Sequence, residues 1–512
     1  MKDLVIFNGQ INTMDQRIPY AEALAVKDGK IITVGSNEDV KRAMPFGAEV
    51  IDAKGNSVFP GFFDTHVHLT FAGLNMTSVK LEKARSKEEL TDILKDAEKE
   101  LSPGMWLHGT GYDETVYPGR SMLTMKELDE AFGSRPVLLE RIDAHQIAVN
   151  SAAFTELGLN VGEQGVETDP LSGEPTGIVK DPANGKAHSR FSDELITDDM
   201  RKMFIRKACD QALSMGTTSI SALEGGSLFS DRDTDVLLDI KDSLPVNIKV
   251  YHQTMDVNKV ISEGLDQIGG CIVLDGSLGS HTAALFYDYS DKPGCRGELY
   301  YSQKEIDDFV LEAHVKGLQV SMHCIGDRAI ERLLTAYERA ISKVPRSNHR
   351  HRFEHFSVST MDQAVRARAL GCCLAMQPSY IPGADMMLSR LGEERLKRSL
   401  NIKTLMDMGI KIGGGSDAPI TPIDPFHGIA CAMEHYNPDE RMSFWDAVRM
   451  FTSDAAYLTF EEGKRGSLSP GKYADIAISD CNITEMDLKD TGSIRNIRFT
   501  HTICDGEIRF EE

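Results

Sequence analysis

His66 and His68 stand one residue apart at the end of an apolar run, Phe59-Pro60-Gly61-Phe62-Phe63-Asp64-Thr65-His66-Val67-His68. On a β-strand, residues i and i+2 project from the same face, so the two imidazoles lie side by side as ligands of one metal ion would. The pattern alone carries little weight. Fifteen His among 512 residues produce about 0.4 such pairs by chance, and His349-Arg350-His351 is a second instance. Context separates the first pair, because suitable partners follow far downstream. His323 closes Val320-Ser321-Met322, His355 closes Arg352-Phe353-Glu354, and Asp417 follows Gly413-Gly414-Gly415-Ser416. Singly, a strand-end His is more often a hydrogen-bonded core residue, and Asp417 before Ala418-Pro419 could be a helix N-cap. Together, four His and one Asp at four predicted strand ends form a metal cluster whose donors suit Zn²⁺ and related divalent ions.

The elements that must position these groups read as a barrel. After the strand ending at His68, candidate strands are Thr217–Leu223, Val246–His252, Cys271–Leu274, Leu318–His323, Arg352–His355, Gly371–Met376 and Ile410–Gly415. Helical stretches separate most of them, such as Ala329–Lys343 with apolar Ile330, Leu333, Leu334, Tyr337 and Ile341. This alternation predicts an α/β fold, a TIM-like (β/α)8 barrel over 59–465, with the active site at the C-terminal strand ends. An insertion at about 75–200, with an amphipathic helix at Lys87–Leu101, would shape substrate access at the barrel mouth. Residues 1–58 read as a small all-β unit, with a hairpin at Asp28-Gly29 and a strand pair around Lys54-Gly55. The C-terminal strand at 476–479 and a hairpin at Asp505-Gly506 supply its missing half. The expected organisation is therefore a composite β-sandwich of 1–58 plus 466–512, with the barrel inserted between.

Composition narrows the partners. A net charge of −22 and pI near 5.2 argue against nucleic-acid and anionic membrane surfaces, which require basic patches. Nine Cys with no CxxC read as reduced thiols. The opening MKDLVIFNGQINTMDQ lacks a signal-peptide apolar region, and no apolar run approaches membrane-spanning length. The expectation is a cytoplasmic enzyme acting on a small molecule.

Several motifs resemble those of the metal-dependent amidohydrolase superfamily. They are PGFFDTHVHL, AHQIAVNSAAF (144–154), GEPTGIV (173–179), LDGSLGSHTAAL (274–285), HCIGDRA (323–329), RFEHF (352–356), GGSDAP (414–419) and the tail FTSDAAYLTFEEGKRGSLSPGKYADIAI. More narrowly, the chain is similar to the amidohydrolase 3 family, relatives of N-substituted formamide deformylases and, more distantly, D-aminoacylases. The resemblance spans essentially the whole chain and implies the same barrel and composite sandwich. It implies that His66, His68, His323 and His355 are metal ligands and that Asp417 is both ligand and proton shuttle. The implied reaction is hydrolysis of a C–N bond, of amide but not peptide type, by a metal-activated water. Many members carry a carboxylated lysine four residues before the Asp-Gly of the fourth strand, where this chain has Cys271 before Asp275-Gly276. Two readings stay open there: a thiolate bridging two Zn²⁺ ions, or a small core residue beside a single ion. Lys180 is a third candidate for the bridge. His145 and Asp275 are candidate substrate contacts, Asp275 alternatively ordering its turn. Homodimerisation is common in the superfamily and stays open here. The competing enzyme class is an aminohydrolase (deaminase) of a heterocyclic ring, disfavoured because Asp327 stands where such enzymes commonly carry a glutamate. A non-catalytic relative on the same scaffold would be expected to have lost ligands, and none is lost here.

Overall fold

The computed structural model describes residues 3–102, 104–141, 146–180, 183–226 and 230–512. Two hairpins form where two-residue turns were expected. Asp28 and Gly29 have φ of 49° and 75°, and Asp505 and Gly506 have 52° and 77°. Two successive positive φ values match the twist of flanking antiparallel strands. They join Ala23–Lys27 to Lys30–Gly35, and Phe499–Cys504 to Glu507–Glu511. Lys54 and Gly55 have the same signs, 54° and 86°, yet the strands they join do not pair. Glu49–Asp52 runs parallel to Leu4–Phe7 in a four-stranded sheet. Ser57–Pro60 instead pairs with Gln10–Asn12 and Ile476–Ser479 in a six-stranded sheet. The expected strand pair is thus divided between two sheets, because each strand finds a partner whose apolar face is already turned toward the shared core. That core draws Leu4, Ile6 and Leu24 from one sheet and Val58, Ile476 and Ile503 from the other.

Eight parallel strands form the barrel: β1 (Phe62–Val67), β2 (Thr217–Glu224), β3 (Asn247–His252), β4 (Gln267–Ile268), β5 (Gln319–Cys324), β6 (Arg352–His355), β7 (Cys373–Met376) and β8 (Lys411–Gly414). They pair in chain order. The first and last strands approach through a parallel bridge, Val67 to Ala418. Most strands are buried along their whole length, as parallel strands covered on both faces must be.

The fourth strand differs from expectation. It is Gln267–Ile268, not Cys271–Leu274, which follows Gly269 and Gly270 at φ of 100° and 76°. A Cβ at Gly269 would sit 2.0 Å from the Ser321 carbonyl oxygen. The glycines let the chain turn against β5, leaving Val273 in a lone bridge to His323. The helix after β5 spans Asp327–Lys343 and buries Ile330, Leu333, Leu334 and Tyr337. Gly326 occupies its cap position, and Asp327 in the first turn accepts a hydrogen bond from Phe286 N at 2.8 Å.

Contacts divide the chain into two units, Met1–Leu69 with Arg206–Glu512, and Thr70–Ile205. The second unit holds a six-stranded sheet. The helix Lys87–Glu98, capped by Ser86, packs Leu90 and Leu94 on the sheet residues Leu107 and Leu139. Trp106 and Tyr112 are buried in this unit's core. Among the described residues, no helix is long and apolar enough to cross a membrane.

Candidate metal centre

His66 lies near the end of β1 and His68 just beyond it. His323 lies on β5 and His355 ends β6. Asp417 stands three residues past β8, and Cys271 follows the β4 turn. The barrel brings all six together, and all six are buried. Both His355 (φ 71°) and Asp417 (φ 57°) adopt left-handed backbone, a costly conformation for non-glycine residues that the surrounding structure must hold in place.

Each imidazole is fixed by one ring nitrogen and presents the other to the cluster. His66 Nδ1 meets Glu354 Oε2 at 2.7 Å, and His68 Nδ1 meets the Leu223 carbonyl at 3.0 Å. His355 Nδ1 meets Gln377 Oε1 at 2.7 Å, and His323 Nε2 meets the Gly276 carbonyl at 3.3 Å. Facing inward, His66 Nε2 and His68 Nε2 lie 3.1 Å and 3.3 Å from Asp417 Oδ1. His323 Nδ1 and His355 Nε2 lie 3.5 Å and 4.0 Å from Cys271 Sγ. Outer-shell acceptors of this kind set the tautomer of metal-binding histidines. His66 Nε2 is buried without a hydrogen bond of its own, as a lone pair aimed at a cation would be. Two overlapping donor groups result, His66-His68-Asp417 and His66-Cys271-His355, each with its ligand atoms within 4.8 Å of one another.

The electrostatics fit a cation. Burial opposes charge on Asp417, but His66 and His68, when protonated, hold its carboxyl well below the usual range, and a metal cation in place of those protons would act in the same direction. Burial likewise opposes a Cys271 thiolate, and His323, His355 and His66 overcome it, holding the thiol well below its ordinary value. Two anionic donors among imidazoles with fixed tautomers suit a divalent ion.

The second His-x-His shows the opposite outcome. His351 Nε2 meets His314 Nδ1 at 2.8 Å, and His351 Nδ1 accepts from Val320 N at 3.0 Å. His349 Nδ1 accepts from His351 N at 3.0 Å, and His349 Nε2 meets the Leu370 carbonyl at 2.8 Å. Every ring nitrogen of this pair is engaged within the protein.

Asp275 is fully buried, and its carboxylate accepts from the backbone N–H groups of Ala284, Ile325 and Gly326 at 2.7–3.0 Å, with His323 Nε2 at 3.5 Å. It therefore ties the loop after β4 to the end of β5. Lys180 is half-exposed on a strand of the second unit and pairs with Glu167 at 2.9 Å. His145 lies outside the described residues.

Four supporting residues escaped the sequence reading. Tyr380 donates its hydroxyl proton to Asp417 Oδ2. Gln377 holds His355. Asp64 accepts from His66 N at 3.2 Å and Ser416 N at 2.9 Å, linking β1 to the Asp417 loop. Glu354 bridges His66 to Arg352, whose guanidinium is fully buried. Glu354 stands beside His355 in RFEHF, and Gln377 and Tyr380 follow a strand end, so the polar-residue-at-strand-end signal that marked the ligands also marked these three.

Residues 49–510 match the sequence model described as the amidohydrolase family. The chain is 30% identical to the Arabidopsis thaliana protein LONG AFTER FAR-RED 3, across 96% of this chain and 89% of that one. It is 26% identical to the N-substituted formamide deformylase of Arthrobacter pascens, across 100% and 99%. A crystal structure of an uncharacterized metal-dependent hydrolase from Pyrococcus furiosus superposes with a TM-score of 0.82 at 29% identity, covering 93% of this chain and 98% of that one. A match over nearly the whole length, on a barrel whose strand ends gather these histidines and acids, shows that the chain belongs to the amidohydrolase family.

Proposed function

We propose that this chain hydrolyses a C–N bond of a small, non-peptide amide, using one or two divalent ions, Zn²⁺ by preference, with Asp417 moving the proton. The observation that carries the reading is the set of four imidazoles, each held by a fixed acceptor and aimed at Asp417 or Cys271. His66, His68, His323, His355 and Asp417 would hold the ion or ions, and the central position of Cys271 favours a thiolate shared between two. A bound ion would supply a water of lowered pKa and polarise the substrate carbonyl. Asp417 accepts the proton of the attacking water and returns it to the leaving nitrogen. Tyr380 donates to the second carboxylate oxygen and so aims the first between the two histidines. The N-substituted formamide deformylase likeness supports an N-formyl or N-acyl substrate. The shared apolar core of the two terminal sheets supports the composite β-sandwich of 1–58 plus 466–512.

The test is metal analysis with a screen of N-formyl amines, N-acyl amino acids and cyclic amides, repeated with Asp417→Asn. Turnover of one amide class is expected, with a loss of at least ~10³-fold in the folded variant. An Asp417→Asn protein with near-wild-type rates would remove Asp417 from the chemistry. Ammonia release from a nucleobase with no amide turnover would establish the deaminase reading instead.

A further inference from the structure

The N-terminal end of the barrel has a different character from its mouth. On β2 and β3 the registered pairs are Ser219 with Asn247, Ser221 with Lys249, and Leu223 with Tyr251. Leu223 and Tyr251 pack together with Cys271 inside the barrel. Strand alternation places the two pairs below them on the same inner face. Barrel interiors are ordinarily filled at such positions by branched apolar side chains. Here two hydroxyls, an amide and an ammonium border a cavity of about 590 Å³. Ser221, the nearer hydroxyl, lies about 7 Å below Leu223 along the strand, and none of the six residues of the metal centre lines the cavity.

The Asn247 amide donates to the Thr218 carbonyl at 3.3 Å and to Cys504 Sγ at 3.1 Å, whereas the two hydroxyls and the ammonium are unspent. Ser219 and Ser221 are 4% and 2% exposed, and neither hydroxyl has a hydrogen-bond partner. Lys249 makes no ion pair or hydrogen bond among the described residues. The acids on the wall are compensated: Asp505 by Arg465 at 2.8 Å, Asp242 by Lys241 at 2.7 Å, and Glu461 by Lys464 at 3.4 Å. Of the five cationic side chains that line the space, Lys241, Lys464, Arg465 and Arg509 are paired with acids, Arg465 with Asp475 as well and Arg509 with Glu507, so Lys249 carries the uncompensated charge.

We propose that this cavity is a second ligand site, for a phosphate-bearing small molecule, with Lys249 and the Ser219 and Ser221 hydroxyls as its direct contacts. A compact ammonium acts on a phosphate as a point charge, and freely rotating hydroxyl donors can reach separate oxygens of the same tetrahedron. The volume falls within the range of small-molecule sites.

The experiment is calorimetric titration of the full-length protein with inorganic phosphate, and with succinate at equal ionic strength, in wild type, Lys249→Met and Ser221→Ala. Saturable phosphate binding is expected, weakened at least tenfold by Lys249→Met and several-fold by Ser221→Ala, with succinate binding more weakly. Phosphate held at the metal centre would be indifferent to both substitutions. Equal affinity in wild type and both variants, no saturable binding up to ~10 mM, or succinate binding at least as tightly as phosphate overturns the proposal. Ser221→Ala is a minimal change, so a folding failure in Lys249→Met leaves the test intact.

Discussion

Glu354→Gln changes one atom, and the structure assigns it a large effect. Glu354 Oε1 receives Arg352 Nε at 2.9 Å and the Ser321 hydroxyl, while Oε2 receives His66 Nδ1 at 2.7 Å. Both Glu354 and Arg352 are fully buried. Burial opposes ionisation of Glu354, and the Arg352 guanidinium restores it, holding the carboxyl below its usual range. A glutamine could still offer its carbonyl to Arg352 and Ser321, but its amide N–H₂ would then face His66. His66 Nδ1 would have to accept, moving the ring proton to Nε2, the atom that faces Asp417 and must stay a lone pair for a metal ion. Two magnitudes follow. Leaving Arg352 without its buried counter-charge costs about 3–5 kcal/mol. Losing the histidine's orienting acceptor weakens metal affinity about 10–100-fold. Urea unfolding measures the first, and competition with a chelator, followed by metal analysis of the folded protein, measures the second. A variant that unfolds within ~1 kcal/mol of wild type and holds metal within twofold would refute the argument.

Three other predictions follow from the same geometry. In Cys271→Ala, metal per subunit should fall, because Sγ is the group shared by His323 and His355; unchanged stoichiometry would leave Cys271 as a core residue. In Gly415→Ala, the new Cβ would come 2.7 Å from His66 Cβ and 3.0 Å from its backbone nitrogen, so metal retention should drop without loss of any ligand, and a metal-replete variant would count against close packing of β1 on β8. Acid should weaken the fold through His349 and His351. Burial pushes His349 down to about 4 and holds His351 well below its usual value, so the unfolded chain takes up protons that the fold refuses. This stability is complete above about pH 6.5 and is lost as pH falls toward 4, by up to about 1.4 kcal/mol per unit per group. Urea midpoints from pH 7 to 4.5 should fall less steeply in His349→Gln, and an unaltered slope would contradict the assignment.

The cluster of His66, His68, His323, His355 and Asp417 was legible because each sits at or just past the end of a strand whose apolar run is itself legible, and parallel strands in a barrel must bring those ends together. The same logic failed at the fourth strand, where two glycines of positive φ displaced Cys271 into the turn after it. Lys54-Gly55 carried a hairpin signal, yet its flanking strands joined different sheets, since pairing depends on which edges are free and not on the turn alone.

Spacing and residue type by themselves pointed to the barrel order, to His66, His68, His323, His355 and Asp417, and to the two hairpins, all of which follow from local periodicity and turn chemistry, whereas Cys271 entered only through the family resemblance. By pattern alone His66-Val67-His68 and His349-Arg350-His351 are the same, and only the first pair's context, an apolar run with partners downstream, favoured it. Tertiary structure decided between them. One pair has its outer nitrogens held by Glu354 and Leu223 and its inner nitrogens aimed at an acid, whereas the other spends every nitrogen on neighbours. A histidine is free to bind metal only when long-range contacts satisfy one nitrogen and leave the other its lone pair. Those contacts come from residues up to 288 positions away, beyond the reach of any local pattern.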